Sequence, residues 1–309
     1  ASGATDALAA LHQRWDSHAM TAFGILSNVS RNKNAESLNP LVQLRIAANY
    51  RLQQKTGEQA TILSELSQRD DQYALFARCE IQVDNMPSAP LLPLINLPQR
   101  SERPFLDGVL TDSIWEDAQE ILLTPFVRDA LDPATGTRRK LITQANGVSS
   151  LTMLAWDDEF LYLAAVFERA PEKSEPIELV LNRTYDSEHE SRDRLELEID
   201  TDRDFGTTFQ LSVDESGKTS DRCWMLDKWN PKWFVVLDTD ARTWRVEAAI
   251  PLSELSANGA KPGDLWNIRL RRVIPGVLQH ELQTGTNPVS TDGAGMVRFI
   301  RPQKSVNGR

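Results

Sequence analysis

The feature that most constrains this chain is a change of apolar period. From Asp6 to about Val83 the apolar residues recur three and four apart, as in Leu41, Leu44, Ile46, Ala47, Tyr50 and Leu52. After Pro104 they recur every second residue: Leu195, Leu197 and Ile199 alternate with Arg194, Glu196, Glu198 and Asp200. The first period fits a helix burying one stripe, the second a strand burying one face, and no single element satisfies both. Between them stand Pro87, Pro90, Pro93, Pro98 and Pro104, which fix φ and remove backbone donors too often for a helix or a central strand. The fold class expected is multidomain α and β. α-helical hairpins occupy residues 1–86, a Pro-rich linker 87–103, and an antiparallel β-sandwich 104–309.

The helices expected are Asp6–His18, Met20–Ser30, Pro40–Lys55, Glu58–Ser67 and Asp71–Val83, with Pro40 near one beginning and Gly57 after one end. Apolar linker residues such as Leu91, Leu92, Leu94 and Ile95 argue that the linker packs along a surface. Beyond it, Phe160–Glu168, Thr208–Val213, Phe234–Leu237, Trp244–Ile250 and Trp266–Arg271 read as short strands separated by turns, the pattern of a sandwich.

Charge narrows the partners. Up to Met86 there are 8 basic residues against 9 acidic, and from Pro87 onward 26 against 35, so the acidic excess belongs to the β part. A negative field repels phosphate backbones and anionic lipid, which excludes nucleic acid as the natural partner. No window reaches the roughly 18 apolar residues of a membrane span, so membrane insertion is not expected, and the start, Ala1 to Asp6, lacks the layout of a secretory signal. Cys79 and Cys223, one in each part, read as two buried free thiols or as one interdomain disulfide.

Leu41 to Val83 resembles a tetratricopeptide-type unit through Ala47, Ala48 and Tyr50 in one helix and Ala60, Leu63 and Leu66 in the next, with generic helix packing as the alternative. From about Pro104 to Pro302 the chain resembles the family 9 carbohydrate-binding modules and their DOMON-type relatives. The pieces come in that family's order: Leu106-Asp107-Gly108 with Trp115, Ala155-Trp156-Asp157-Asp158 before Leu161-Tyr162-Leu163, Asp193 through Asp200, Trp244 through Pro251, and Gly263 before Trp266. The resemblance implies a glycan partner, an extracytoplasmic setting, and a terminal sugar held between two tryptophans and a carboxylate. It puts Glu196 at the carboxylate and Gln210 near a polar contact, while Glu190 or Ser191 and the Pro288 region fall where the tryptophans would stand.

Trp224, Trp229 and Trp233 crowd one loop, either as a rearranged stacking platform or as a cap on the sandwich core. The expected carbohydrate-binding set is therefore Glu196, Gln210, Trp229, Trp233 and Arg271. Glu196 and Glu198 on one strand, and Arg269 and Arg271 on another, read either as a hydrolytic carboxylate pair or as cross-strand ion pairs on a solvated sheet. Asp200, Asp202 and Asp204 have a spacing that suits calcium or a polar hairpin turn. No other cofactor is expected, and no metalloprotease, hydrolase-elbow or phosphate-loop motif is present. Three readings stand at this point. One is a non-catalytic glycan binder whose helical part mediates assembly with a protein partner. Another is a structural or protein-interaction module without the sugar site. The third is a b-type haem electron-transfer subunit using Met153, Met225 or Met296.

Overall fold

The computed structural model describes residues 39–85, 91–125, 127–131, 138–142, 148–170, 179, 191–205, 207–223, 229–275, 278–282 and 294–301. They form two compact units: a helical one, whose main run ends at Leu91 and which takes in Asp202–Thr207 and Ser256–Asn258, and a β unit made of the rest. The helices expected over Asp6–His18 and Met20–Ser30 lie outside the described residues.

In the helical unit, α1 (Pro40–Leu52), α2 (Thr56–Ser67) and α3 (Gln72–Asn85) follow one another through short connections as successive hairpins. Pro40 opens α1, and the Asn39 side chain accepts from the Leu41 amide. The helix stops at Leu52, short of the expected Lys55. Gln54 takes φ 58°, and the amides of Lys55 and Gln54 turn back to the carbonyls of Tyr50 and Arg51. That left-handed C-terminal cap ends the helix before Gly57 is reached. Glu80 is buried and held by Arg51 Nη1 at 2.6 Å and Arg203 Nε at 3.1 Å, while Phe76 stacks on Phe205 with ring centroids 4.6 Å apart. Cys79 is a buried free thiol, pushed up to about 12 by burial and then by the adjacent Glu80. Cys223 in the β unit is also buried and free.

The β unit is a sandwich of two sheets. The first runs β10 (Phe234–Thr239), β11 (Thr243–Pro251), β6 (Phe160–Glu168), β5 (Ser150–Trp156) and β2 (Glu120–Pro125). The second runs β13 (Leu278–Leu282), β12 (Leu265–Ile274), β7 (Arg194–Asp200), β8 (Phe209–Asp214) and β9 (Thr219–Cys223), and β14 (Ala294–Ile300) also pairs with β12. β2 pairs with β13 and joins the two, and β3 (Val127–Leu131) with β4 (Arg138–Ile142) makes a separate ribbon. Among the described strands every pairing is antiparallel except one: β1 (Leu94–Pro98) lies parallel to β14.

That strand lies within the Pro-rich segment 87–103 and is not a central one. Pro93 precedes β1 and Pro98 is its last residue, so the residues between keep their amide donors, and the strand pairs with β14 alone. Its register is anchored by the buried Trp156, whose indole donates to the Leu97 carbonyl at 2.7 Å. Leu92, Ile95 and Leu97 are buried.

Between the sheets lie the inward sets of each strand, among them Leu195, Leu197 and Ile199 from β7 and Leu161, Leu163 and Phe167 from β6. Phe299 meets Trp156 and Trp266 edge-on. A charged group also sits here. Arg272, wholly buried, donates to both oxygens of Asp193 (3.0 and 2.6 Å), to Ser150 Oγ (2.9 Å) and to the Ser149 and Glu168 carbonyls, and it lies 4.8 Å over the Phe167 ring. Trp244 Nε1 donates to Asp193 as well (3.1 Å), so one ion pair ties together residues of both sheets.

The outer face of the first sheet is covered by residues 106–118, including α4 (Ser113–Glu116). Glu247 on β11, buried there, accepts from Trp115 Nε1 (2.8 Å) and from the amides of Asp107 and Gly108 (3.0 and 2.8 Å). Gly108 has φ 81° and a Cβ on it would stand 2.7 Å from the Asp238 amide nitrogen, so only glycine fits. The Leu106-Asp107-Gly108 and Trp115 pieces thus serve the fold. So does Asp157, whose Oδ1 accepts from the Glu159 and Phe160 amides to turn the β5–β6 hairpin. Pro251 ends β11 and α5 (Leu252–Leu255) follows, with Leu252 and Leu255 buried.

Candidate functional site

On the outer face of the second sheet the strand registers set two polar rows. Arg269, Glu198, Gln210 and Arg222 stand opposite one another across β12, β7, β8 and β9. Beside them run Arg271, Glu196, Ser212 and Ser220. Alternation produces this face: the residues between, such as Leu197, Leu211 and Leu270, are buried inward. Neighbouring rows are therefore about 7 Å apart along each strand and neighbouring strands about 4.8 Å apart.

The charges close on one another. Arg271 Nη2 meets Glu196 Oε2 at 2.9 Å and Glu198 Oε1 at 3.0 Å; Arg269 Nη1 meets Glu198 Oε2 at 3.4 Å; Arg194 Nε meets Glu196 Oε1 at 2.7 Å. Gln210 accepts from Arg222 Nε and its amide nitrogen lies 3.4 Å from Thr208 Oγ1. The cross-strand ion pairs expected for these four residues are present. Arg271 thus bridges the two carboxylates.

Of the expected set, Glu196, Gln210 and Arg271 share this face. Trp233 does not join them as a stacking surface. Trp233 is only 2% exposed, and its indole donates to the buried Asp221 at 3.1 Å. Trp229 is half-buried with its ring 4.9 Å from that of the inward-facing Phe209. Trp224 lies outside the described residues. The physical reason is register: Trp233 immediately precedes β10 and takes the inward place in the alternation, which leaves the outward place to Phe234, 53% exposed. The sequence signal for Phe234 was the same alternation, read one residue on.

The aspartates of the DxDxD run have local partners. Asp200 ends β7, buried, and accepts from Asn267 Nδ2 at 3.2 Å. In the helical unit, Asp202 Oδ1 accepts from the Asp204 amide, and Asp204 accepts from the Thr207 amide and hydroxyl (2.6 and 3.1 Å) and faces Arg45 Nε at 3.8 Å. The contacts among Asp202, Asp204 and Thr207 are local to the turn. Met153 and Met296 are buried, Met153 in an apolar cluster with Trp115, Ala155 and Tyr162. Met225 is outside the described residues, and no helix among those described is long and apolar enough to cross a membrane.

No family model and no curated protein matches the chain. Solved structures similar to it include a family 9 carbohydrate binding module from Caldicellulosiruptor kristjanssonii in complex with cellotriose, at 15% identity over 70% of this chain and 98% of that one, TM-score 0.46. The same source gives a family 9 module in complex with glucose, at 16% identity over 70% of this chain and all of that one, TM-score 0.45.

Proposed function

We propose that this chain is a non-catalytic carbohydrate-binding protein of an extracytoplasmic compartment, in which the outer face of β7, β8 and β12 meets a glycan and the helical unit serves assembly with a protein partner. The observation that carries the reading is the in-register polar grid around Glu196, Glu198, Gln210 and Arg271. Sugar hydroxyls both donate and accept, and a flat array of carboxylates, guanidiniums and an amide offers each of them a complement. The resemblance through Glu196 and Gln210 points the same way, as does the tetratricopeptide-like pattern for the helical part. Calcium at the Asp200, Asp202 and Asp204 run is the one cofactor this reading leaves room for, and it takes the carboxylate pair bridged by Arg271 as a binding arrangement rather than a hydrolytic one.

A glycan array probed with the full chain, followed by calorimetry on the best ligand, tests it. Hydrogen bonds to charged groups are worth about 1.5–3 kcal/mol, so Glu196→Gln and Arg271→Ala are expected to weaken binding roughly 10- to 150-fold. Binding that both variants leave intact, or an array with no hit, overturns the proposal. A second reading, a protein-interaction module that has lost the sugar site, is favoured by one observation: among the described residues of β7, β8, β9 and β12, no aromatic side chain lies on this face.

A further inference from the structure

On the outer face of the first sheet, two phenyl rings meet at the protein surface. Phe234 is 53% exposed, and its ring stands 6.2 Å from that of Phe160 at an interplanar angle of 64°. Phe160 in turn lies 5.9 Å from the buried Tyr162 and carries Arg103 over its ring, with the guanidinium carbon 5.5 Å from the centroid. Arg103 is held by Asp157 Oδ2 at 2.9 Å and by Glu159 at 2.8 Å, and Glu159 is itself largely exposed. The backbone under each ring is set: Phe234 by the pairing of β10 with β11 opposite the small Ala249, and Phe160 by the Asp157 turn.

We propose that this aromatic pair, edged by Arg103 and Glu159, is a second contact surface for neutral, hydroxyl-rich glycans. The inference rests on the carbohydrate-binding reading, but it assigns a different part of the sandwich from the Glu196 face. The rings offer apolar area to the C–H face of a sugar, while the guanidinium and carboxylate beside them meet its hydroxyls. Size selects a glycan over a protein. Even with Phe105, 75% exposed, the open aromatic area is on the order of 300 Å². A stable protein interface buries about 800 Å² per partner. Charge selects a neutral glycan. Asp157, Asp158 and Glu159 outnumber Arg103 locally and acidic residues outnumber basic ones along the β part, which disfavours uronic and sulfated chains.

The test is calorimetry of the full chain with neutral trisaccharides of glucose (α- and β-linked), mannose and xylose, on the wild type and on Phe234→Ala, Phe234→Leu and Glu196→Gln, with thermal melts as folding controls. Loss of the ring is expected to weaken one binding event roughly 5- to 150-fold. Phe234→Leu should lose nearly as much as Phe234→Ala although it keeps apolar bulk, and Glu196→Gln should leave that event unchanged. If binding responds to Glu196→Gln and ignores both Phe234 variants, the second surface is wrong and the carbohydrate reading stands. If no trisaccharide binds the wild type, the inference falls, and the array decides the broader reading separately. If Phe234→Ala instead alters the sedimentation coefficient of the free protein, the rings are a contact between copies and the inference is likewise overturned.

Discussion

Arg271 and Arg272 are consecutive on β12 and both pair with carboxylates of the β7 segment, yet they live in opposite surroundings. Arg272 points between the sheets, wholly buried, with five hydrogen bonds to Asp193, Ser150 and two carbonyls. Arg271 points outward to Glu196 and Glu198, with about a fifth of its side chain in solvent. The same pair of charges is therefore a structural tie in one place and an adjustable contact in the other. What differs is how much water each charge has given up and whether other donors replace it.

The difference breaks most visibly on the buried side. Arg272→Ala leaves Asp193 in the core with the Trp244 indole as its remaining side-chain donor, and should cost about 3–5 kcal/mol in urea unfolding. The double variant Arg272→Met, Asp193→Leu should recover most of that loss. If the single variant costs under about 1 kcal/mol, the inner pair is no tie and the contrast fails. A middle case sharpens it: Glu247 is a buried carboxylate held by neutral donors alone. Glu247→Gln must turn an amide donor toward at least one of those N–H groups, so about 1.5–3 kcal/mol should be lost by the same measurement. The outer pair should barely register. Arg271→Ala and Glu196→Ala, combined in a double-mutant cycle, should give a coupling of about 0.2–1 kcal/mol. The coupling should shrink between low and high salt. A salt-independent coupling above about 3 kcal/mol would put Arg271 in the class of Arg272.

How much of this was legible in the sequence follows the range of the interactions. β6 and β7 could be read at their ends because alternation and the Asp157-Asp158 turn are local. The Glu196, Gln210 and Arg271 face followed from the same alternation together with the family resemblance. Trp233 was misjudged because the end of a loop and the first inward residue before a strand look alike without the register. The links of Glu247 to Trp115 and of Arg272 to Asp193 join residues far apart in the chain, and no spacing rule reaches that far. The strand inside the Pro-rich segment was hidden for the same reason. Its partner, β14, is distant, and only pairing makes Leu94–Pro98 a strand.

The parallel pairing of β1 with β14 has a consequence for biosynthesis. β1 leaves the ribosome early and its mate, running from Ala294 to Ile300, leaves roughly two hundred residues later. At translation rates of about 5–20 residues per second this is a wait of about 10–40 s. For that time Ile95 and Leu97 lack the β14 partners, Val297 and Phe299, that they have in the finished sandwich. The nascent chain is therefore most vulnerable to misassembly while β14 is still being made, and chaperone binding during synthesis should favour the Leu92–Pro98 stretch over the self-contained β5–β6 hairpin.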